Sequence, residues 1–172
     1  MDFSGFSEFR HVFVVGPQRS GTRYIAKCIV SDTGEHLYID EEEFNVDCLH
    51  MFQRILWDEP FKMVIQCPGI TPWVHALATD EDAVVFCMRD IAAVRRSQAR
   101  AWKDRSYDRV EALKYGREED SAKVKQHYWK FNQSRRIKNS FTVRFPEDVE
   151  DRKDFVPAEQ RVDWLHDQTE AM

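Results

Sequence analysis

Short apolar runs rich in β-branched residues alternate along this chain with longer segments in which apolar residues recur every three or four positions. Runs of the first kind are typical of strands buried on both faces of a parallel sheet, and segments of the second kind are typical of the helices that cover it. The runs predict strands at His11–Val15, His36–Ile39, Lys62–Gln66, Ala83–Met88 and Phe141–Phe145. Their alternation with helices predicts a three-layer α/β fold, in which helices flank a central parallel sheet of about five strands.

The segments between these runs predict the crossover helices. Residues that share one helical face are Ile25, Cys28 and Ile29; Leu49, Phe52 and Leu56; Val94, Ser97 and Ala101; and Val124, Tyr128 and Phe131. Thr71 and Pro72 have the pattern of a helix start, in which a hydroxyl caps the backbone and proline takes the first helical position. No repeat or long linker interrupts the sequence, so residues 1–172 are predicted to form one domain.

The composition narrows the classes of function. The net charge of -5 argues against sequence-independent binding of nucleic acid. No apolar stretch approaches the roughly 18 residues that span a bilayer, and the first ten residues lack the basic and then apolar layout of a secretory signal. The cysteines stand singly within apolar runs, which favours buried free thiols over a metal site; they are Cys28, Cys48, Cys67 and Cys87. These features predict a cytoplasmic protein without a nucleic-acid or membrane partner.

The first candidate site is the stretch GPQRSGTR, residues 16–23, between the first predicted strand and the helix after it. A strand that enters a glycine turn and then a helix directs several backbone N–H groups and the positive helix end towards one point, which suits a phosphate or a sulfate. Ser20 and Thr22 add hydroxyl donors, and Arg19 adds a guanidinium that can bind an oxyanion through two parallel hydrogen bonds. A strand–turn–helix junction without a ligand is the alternative.

The two glycines of this stretch have the spacing of the P-loop, but the two side chains that define that loop are replaced. In nucleoside triphosphatases a lysine after the second glycine reaches the β- and γ-phosphates, and the next Ser or Thr holds magnesium. Thr22 and Arg23 occupy these positions here. Magnesium-dependent triphosphate chemistry therefore lacks its two defining side chains here, which favours a different anion in this loop.

A second basic segment follows the fourth predicted strand, where the chain reads RDIAAVRRS from Arg89 to Ser97. Parallel α/β sheets bind ligands at the carboxyl ends of their strands. Arg89 and Ser97 together could therefore hold a second phosphate, separate from the one in the glycine loop. The alternative is that Arg89 pairs with Asp90 or another neighbouring acid and that the arginines further along the helix are solvated.

Together, the two segments resemble the sulfotransferase family. Its 5′-phosphosulfate loop reads roughly PxRSGTT between the first strand and helix, and the residues that match it in order are Pro17, Arg19, Ser20, Gly21 and Thr22. Its 3′-phosphate motif reads roughly RDPxxVxxS at the end of a later strand, and the matching residues are Arg89, Asp90, Val94 and Ser97, with Ile91 in place of the proline. TVRFPEDV resembles the family's late strand with its Tyr-Glu-Asp turn. The resemblance covers roughly residues 11–150.

The resemblance implies a three-layer, P-loop-like α/β fold that binds 3′-phosphoadenosine 5′-phosphosulfate (PAPS) without a metal. It also implies transfer of the sulfuryl group of PAPS to an acceptor hydroxyl or amine, which leaves 3′-phosphoadenosine 5′-phosphate (PAP). The nucleotide-binding residues that it implies are Pro17, Gln18, Arg19, Ser20, Gly21, Thr22, Arg23, Arg89 and Ser97. Arg19 would also offset charge on the transferred group. The partners are then this nucleotide and an acceptor, and the sequence indicates neither the acceptor's identity nor an oligomeric state.

The family also implies where the base that removes the acceptor's proton would lie. Its cytosolic small-molecule branch has a histidine before a proline at the end of the third strand, where Gln66 and Cys67 precede Pro68 here. Other branches use a glutamate just after the second strand, where this chain reads IDEEEF. Repulsion among four neighbouring carboxylates tends to raise the pKa of at least one of them towards a base's working range. Glu42 is the first candidate and Glu41 the second; an exposed acidic turn is the alternative.

Two other functions fit parts of the sequence. A kinase with a divergent P-loop would need magnesium, for which Asp90 at a strand end is the candidate ligand, and the missing lysine argues against it. A non-catalytic nucleotide- or anion-binding protein on the same scaffold is favoured by the missing histidine. It is also favoured by the final stretch VPAEQRVDWLHDQTEAM, which lacks the family's glycine-rich, basic segment. Nucleotide binding without transfer to any acceptor would identify this last class.

Overall fold

The computed structural model describes residues 1–41, 60–103 and 137–149. The strands in these ranges are β1 His11–Val15, β2 Leu37–Asp40, β3 Met63–Gln66, β4 Ala83–Met88 and β5 Ser140–Arg144. They form one five-stranded sheet in the order β2-β3-β1-β4-β5, and every neighbouring pair is parallel. The predicted α/β fold and its strands are confirmed, because each run of apolar residues forms the strand that its pattern indicates.

The described ranges also contain the helices α1 Thr22–Thr33, α2 Val74–Leu77 and α3 Ile91–Lys103, and short 3₁₀ helices at Ser4–Glu8 and Pro68–Ile70. None of these helices is long and apolar enough to cross a bilayer. α1 ends at Thr33, and the next residue, Gly34, has a positive φ of 70° that lets its N–H donate to the carbonyl of Val30. The helices predicted around residues 49–56 and 124–131 lie outside the described residues.

The core lies on both faces of the sheet, because successive residues of a strand point to opposite sides. Val12 and Val14 of β1 belong to the apolar cluster that contains α1 residues, whereas Phe13 and Val15 belong to the cluster that contains α2 residues. All of β1 is buried, since this central strand is flanked by β3 and β4. The central position also places the loop after β1 at the carboxyl edge of the sheet, where α/β folds bind ligands.

The opposite, amino edge of the sheet contains a buried histidine. His36, just before β2, is 0% exposed, and its Nε2 lies 3.1 Å from the carbonyl oxygen of Phe9. A carbonyl only accepts, so Nε2 carries the ring hydrogen, while Nδ1 is buried with no partner in the described part of the chain. Burial is the main cause that lowers the pKa of His36, and the charge of Lys62 acts in the same direction. The folded protein therefore keeps this ring neutral.

Acid is expected to destabilise the protein through this histidine. In the unfolded chain a histidine has a pKa of about 6.5, so below this pH the unfolded state binds a proton that the folded state excludes. The free energy of unfolding is therefore highest above about pH 6.5 and falls as the pH drops towards the lowered pKa of His36 in the folded state. The urea midpoint should fall less steeply in His36→Gln than in wild type between about pH 7.5 and about pH 5. Equal slopes in the two proteins would contradict this role of His36.

Candidate functional site

The loop of residues 16–21 joins the end of β1 to the start of α1, in the strand–turn–helix arrangement that the sequence predicts. Positive φ angles occur at Gly16 (137°), Arg19 (72°) and Gly21 (93°). A Cβ at Gly16 would lie 2.8 Å from the carbonyl oxygen of Cys87 in β4, so glycine is needed for this close approach. Arg19 has a Cβ, so its left-handed backbone destabilises the folded protein by about 1–2 kcal/mol. Strain of this kind is concentrated at functional sites.

The start of the loop is held by Thr71, which follows β3. The backbone N–H of Gly16 donates to Thr71 Oγ1 at 3.0 Å, and this hydroxyl in turn donates to the carbonyl of Pro68 at 2.7 Å. The prediction that Thr71 caps a helix is wrong, because α2 begins at Val74 without a side-chain cap. A buried backbone N–H needs a partner, and in the folded chain Thr71 serves the glycine loop.

Arg19 and Arg89 connect the two predicted anion-binding segments. Arg19 Nε donates to Ser97 Oγ on α3 at 3.1 Å, and Arg89 Nη1, just after β4, donates to the carbonyl of Arg19 at 2.9 Å. The neighbouring acid, Asp90, accepts a hydrogen bond from the N–H of Ala93 at 2.8 Å and so caps α3. The two segments therefore form one continuous polar surface at the carboxyl ends of β1 and β4.

Three buried polar atoms beside the loop have no hydrogen-bond partner among the described residues. They are Ser20 Oγ, Arg89 Nε and, at the end of β3, Gln66 Oε1. The other end of the Gln66 amide, Nε2, donates to Thr22 Oγ1 at 3.0 Å. A buried polar atom without a partner costs about 1–3 kcal/mol and calls for a bound group or water. Of the remaining loop residues, Pro17 is buried and Gln18 half-buried.

Arg23, at the magnesium position of a P-loop, forms an ion pair with Asp40 at the end of β2. Its Nη2 and Nε lie 2.9 and 2.8 Å from the two carboxylate oxygens, and Tyr38 Oη donates to the same carboxylate at 2.6 Å. One of the four neighbouring carboxylates is thus compensated by a positive charge. Of the two predicted bases, Glu41 is half-buried directly after β2, and Glu42 lies outside the described residues.

An aromatic ring covers another side of the loop. Phe145 follows β5, and its backbone N–H donates to the carbonyl of Met88 at 2.7 Å. The ring packs so closely on Gly21 that a Cβ there would lie 2.4 Å from a ring carbon. The Arg89 guanidinium lies 5.1 Å from the ring centroid, within the range of a cation–π interaction. The segment TVRFPEDV thereby reaches the site through its phenylalanine, a contact that its sequence does not reveal.

The cysteines are part of the core. Cys28, Cys67 and Cys87 are buried free thiols, as predicted, and Cys48 lies outside the described residues. Burial raises the pKa of Cys87 well above its usual value, so this thiol stays neutral and acts as a packing residue. Within residues 1–41, 60–103 and 137–149 no group of three or more side chains could hold a metal ion.

Comparisons with known proteins find a distant structural neighbour and no matching sequence. No protein-family model matches the chain, and no curated protein sequence matches it. Among solved structures, the chain is similar to the YorR protein of Bacillus subtilis, crystallised in complex with phosphorylated GDP. The TM-score is 0.47 at 11% sequence identity, over 78% of this chain and 85% of YorR. A likeness at this level carries no argument about ligand or activity, which must come from the residues of the site.

Proposed function

We propose that this chain binds PAPS and transfers its sulfuryl group to an acceptor hydroxyl or amine. The observation that carries the proposal is that two hydrogen bonds, Arg19–Ser97 and Arg89–Arg19, join the two candidate oxyanion-binding segments at one edge of the sheet. PAPS has a 5′-phosphosulfate and a 3′-phosphate on one ribose, so a protein that binds it needs two adjacent oxyanion sites. The resemblance of both segments to sulfotransferase motifs supports the same assignment.

In this proposal the loop and the first turn of α1 bind the 5′-phosphosulfate. The backbone N–H groups at the start of a helix have no intrahelical partners and carry partial positive charge. Ser20 adds a buried hydroxyl that has no partner among the described residues. Arg19 bonds Ser97 through Nε, which leaves its Nη groups for an oxyanion. The donor set suits a group with several anionic oxygens.

Arg89 and Ser97 bind the 3′-phosphate in the same proposal. Ser97 Oγ accepts a hydrogen bond from Arg19, so its own hydrogen can be donated to a phosphate oxygen. Arg89 is oriented by the Arg19 carbonyl and the Phe145 ring, and its Nε is buried with no partner in the described part of the chain. A charge-assisted hydrogen bond at each of these groups would contribute about 1.5–3 kcal/mol to binding.

The chemistry of the same positions counts against a kinase. Thr22, at the lysine position, is 4% exposed and bonds Gln66, so no ammonium reaches a β- or γ-phosphate. Arg23, at the magnesium-binding position, is a cation itself and pairs with Asp40. Asp90 caps α3. A phosphosulfate requires neither the lysine nor the magnesium ligand, which is why the loop suits it better.

The transfer needs one group to take up a proton. A bond forms between the acceptor oxygen or nitrogen and sulfur, the bond between sulfur and the 5′-phosphate oxygen breaks, and PAP leaves. The acceptor's proton passes to a carboxylate, with Glu42 as the first candidate and Glu41 as the second; such a base contributes about 10²–10⁴ in rate. Arg19 offsets the negative charge on the transferred group and on the leaving phosphate.

Titration calorimetry with PAP in metal-free buffer tests this function. PAP should bind, and Arg89→Ala should weaken it by about tenfold or more, as expected for a lost hydrogen bond to a charged group. Arg96→Ala, which removes an exposed arginine of α3, is the matched control and should bind PAP as wild type does. Binding of magnesium-ATP but not PAP would overturn the proposal in favour of a kinase. Binding of PAP without transfer from PAPS to any acceptor would indicate a non-catalytic nucleotide-binding protein.

A further inference from the structure

Gln66 is a polar residue at a position that a parallel sheet normally fills with an apolar one. It ends β3, in register with Val14 of β1 on one side and Asp40 of β2 on the other. It is 2% exposed, although glutamine is mostly an exposed residue. Burial of an amide costs free energy unless its polar atoms are hydrogen-bonded. A buried glutamine at this edge therefore requires partners for both of its ends.

The protein supplies a partner for one end of the amide. Gln66 Nε2 donates to Thr22 Oγ1 at 3.0 Å, while Oε1 is buried and has no partner among the described residues. Thr22 is the first residue of α1 and stands where a P-loop has its lysine. The amide thus lies one hydrogen bond from the position that faces the outer end of a ligand in loops of this kind.

The pair of Thr22 and Gln66 can be bonded in two ways. A hydroxyl both donates and accepts, and a half-turn of the amide exchanges its nitrogen and oxygen. After that half-turn, Thr22 Oγ1 donates to Gln66 Oε1, and the Nε2 group becomes the end that lacks a protein partner. An anion in the adjacent loop favours this second arrangement, because it interacts better with an N–H donor than with a carbonyl oxygen.

We propose that Gln66 donates a hydrogen bond from Nε2 to the sulfuryl group of PAPS and so replaces the lysine of triphosphate-binding loops with a neutral donor. The inference rests on the proposed function and adds the residue that selects the transferred group. A terminal sulfuryl group carries one negative charge, whereas a terminal phosphoryl group carries about 1.5–2 at neutral pH. A neutral amide suits the singly charged sulfuryl group, whereas a lysine suits the more highly charged phosphoryl group. Gln66 therefore favours binding of a phosphosulfate over binding of a diphosphate.

Gln66→Met tests the contact, since methionine is of similar length and cannot donate. PAP and PAPS differ by the sulfuryl group alone, and both are titrated by calorimetry without metal or acceptor. The substitution should weaken the binding of PAPS by about tenfold or more and the binding of PAP by no more than about twofold. Ser97→Ala is the control, because it should weaken both ligands to the same extent through their common 3′-phosphate. The Gln66→Met protein should unfold at about the wild-type temperature, since the loss of the bond to Thr22 Oγ1 is offset by removal of the unpaired amide end.

Gln66→Lys tests the charge argument with a second pair of ligands, PAPS and 3′-phosphoadenosine 5′-diphosphate. Wild type should prefer the phosphosulfate, and the lysine variant should shift the ratio of the two affinities towards the diphosphate by about tenfold. An unchanged ratio, or equal weakening of PAP and PAPS in Gln66→Met, would overturn the inference while PAP binding by wild type kept the proposed function intact. Absence of both PAP and PAPS binding in wild type would overturn the proposed function and this inference with it.

Discussion

Alanine at Gly21 is expected to destabilise the protein by about 3 kcal/mol or more and to abolish PAP binding. Gly21 has a φ of 93°, and an added Cβ would lie 2.4, 2.5 and 2.9 Å from three ring carbons of Phe145. A left-handed backbone with a Cβ costs about 1–3 kcal/mol, and overpacking against the ring adds a similar amount. In a chain of this length the loss lowers the midpoint of thermal unfolding by roughly 10 °C.

Gly34→Ala is the variant that separates backbone strain from the clash. Gly34 has a φ of 70°, but a Cβ there would meet nothing within 4 Å, so alanine adds strain alone, about 1–2 kcal/mol. Gly21→Ala should therefore lose more stability than Gly34→Ala, and Phe145→Ala should recover part of the difference in a double-mutant cycle. Gly34→Ala should also bind PAP normally. Equal losses in the two glycine variants would show that the ring moves aside and would contradict the packing argument.

Strands β1 to β4 can be predicted because they are buried almost throughout, on both faces of the sheet. Strands in such a sheet are continuous apolar runs: β4 has no polar or charged residue, and in β1 the four residues after His11 are all apolar. The predicted strand ends differ by one residue in β2, β3 and β5. His36 and Lys62, which directly precede β2 and β3, bond the Phe9 carbonyl and Glu35 through their side chains. A local pattern does not contain such partners.

The two candidate anion-binding segments are visible in local patterns of the sequence, but the hydrogen bond between them is not. Glycine spacing and an arginine after a strand are visible in a few residues of sequence. The contact of Arg19 with Ser97 joins residues 78 positions apart and exists because β1 and β4 are neighbours in the sheet. Thr71 is a similar case, since its hydroxyl matches a helix cap locally and yet bonds Gly16 across the sheet edge. Strand order decides both contacts, and strand order is a property of the whole chain.

The acidic turn shows how a tertiary contact changes a chemical role. In the sequence, the carboxylates from Asp40 to Glu43 differ only by their spacing from the second strand. In the fold, Asp40 is the partner of Arg23 and Tyr38, which leaves the later carboxylates as bases in the proposed reaction. Arg23 is the second residue of α1 and Asp40 ends β2, so their ion pair ties the start of this helix to the end of that strand. In the proposed reaction, an arginine that the motif assigns to the nucleotide would therefore also hold the strand that precedes the candidate bases.

Arg19→Gly is expected to weaken PAP binding by about tenfold or more and to leave the free energy of unfolding within about 1 kcal/mol of wild type. Glycine removes the strain of a φ of 72°, and this gain offsets the lost hydrogen bond from Arg19 Nε to Ser97 Oγ. The carbonyl at position 19 can still accept from Arg89, so the second segment keeps its support. Calorimetry with PAP and urea unfolding measure the two quantities on the same protein.

Arg19→Ala is the matched variant, since it lacks the same guanidinium but keeps the Cβ that makes the backbone strained. It should bind PAP as weakly as Arg19→Gly does, and its free energy of unfolding should be about 1 kcal/mol lower than that of Arg19→Gly. Wild-type affinity in both variants would mean that the guanidinium serves no ligand and that Arg19 is tolerated for its bond to Ser97 alone. Loss of affinity in both variants, with stability lost in the alanine variant only, would show that the fold accepts a strained residue at this position because its side chain lies between the two proposed oxyanion sites.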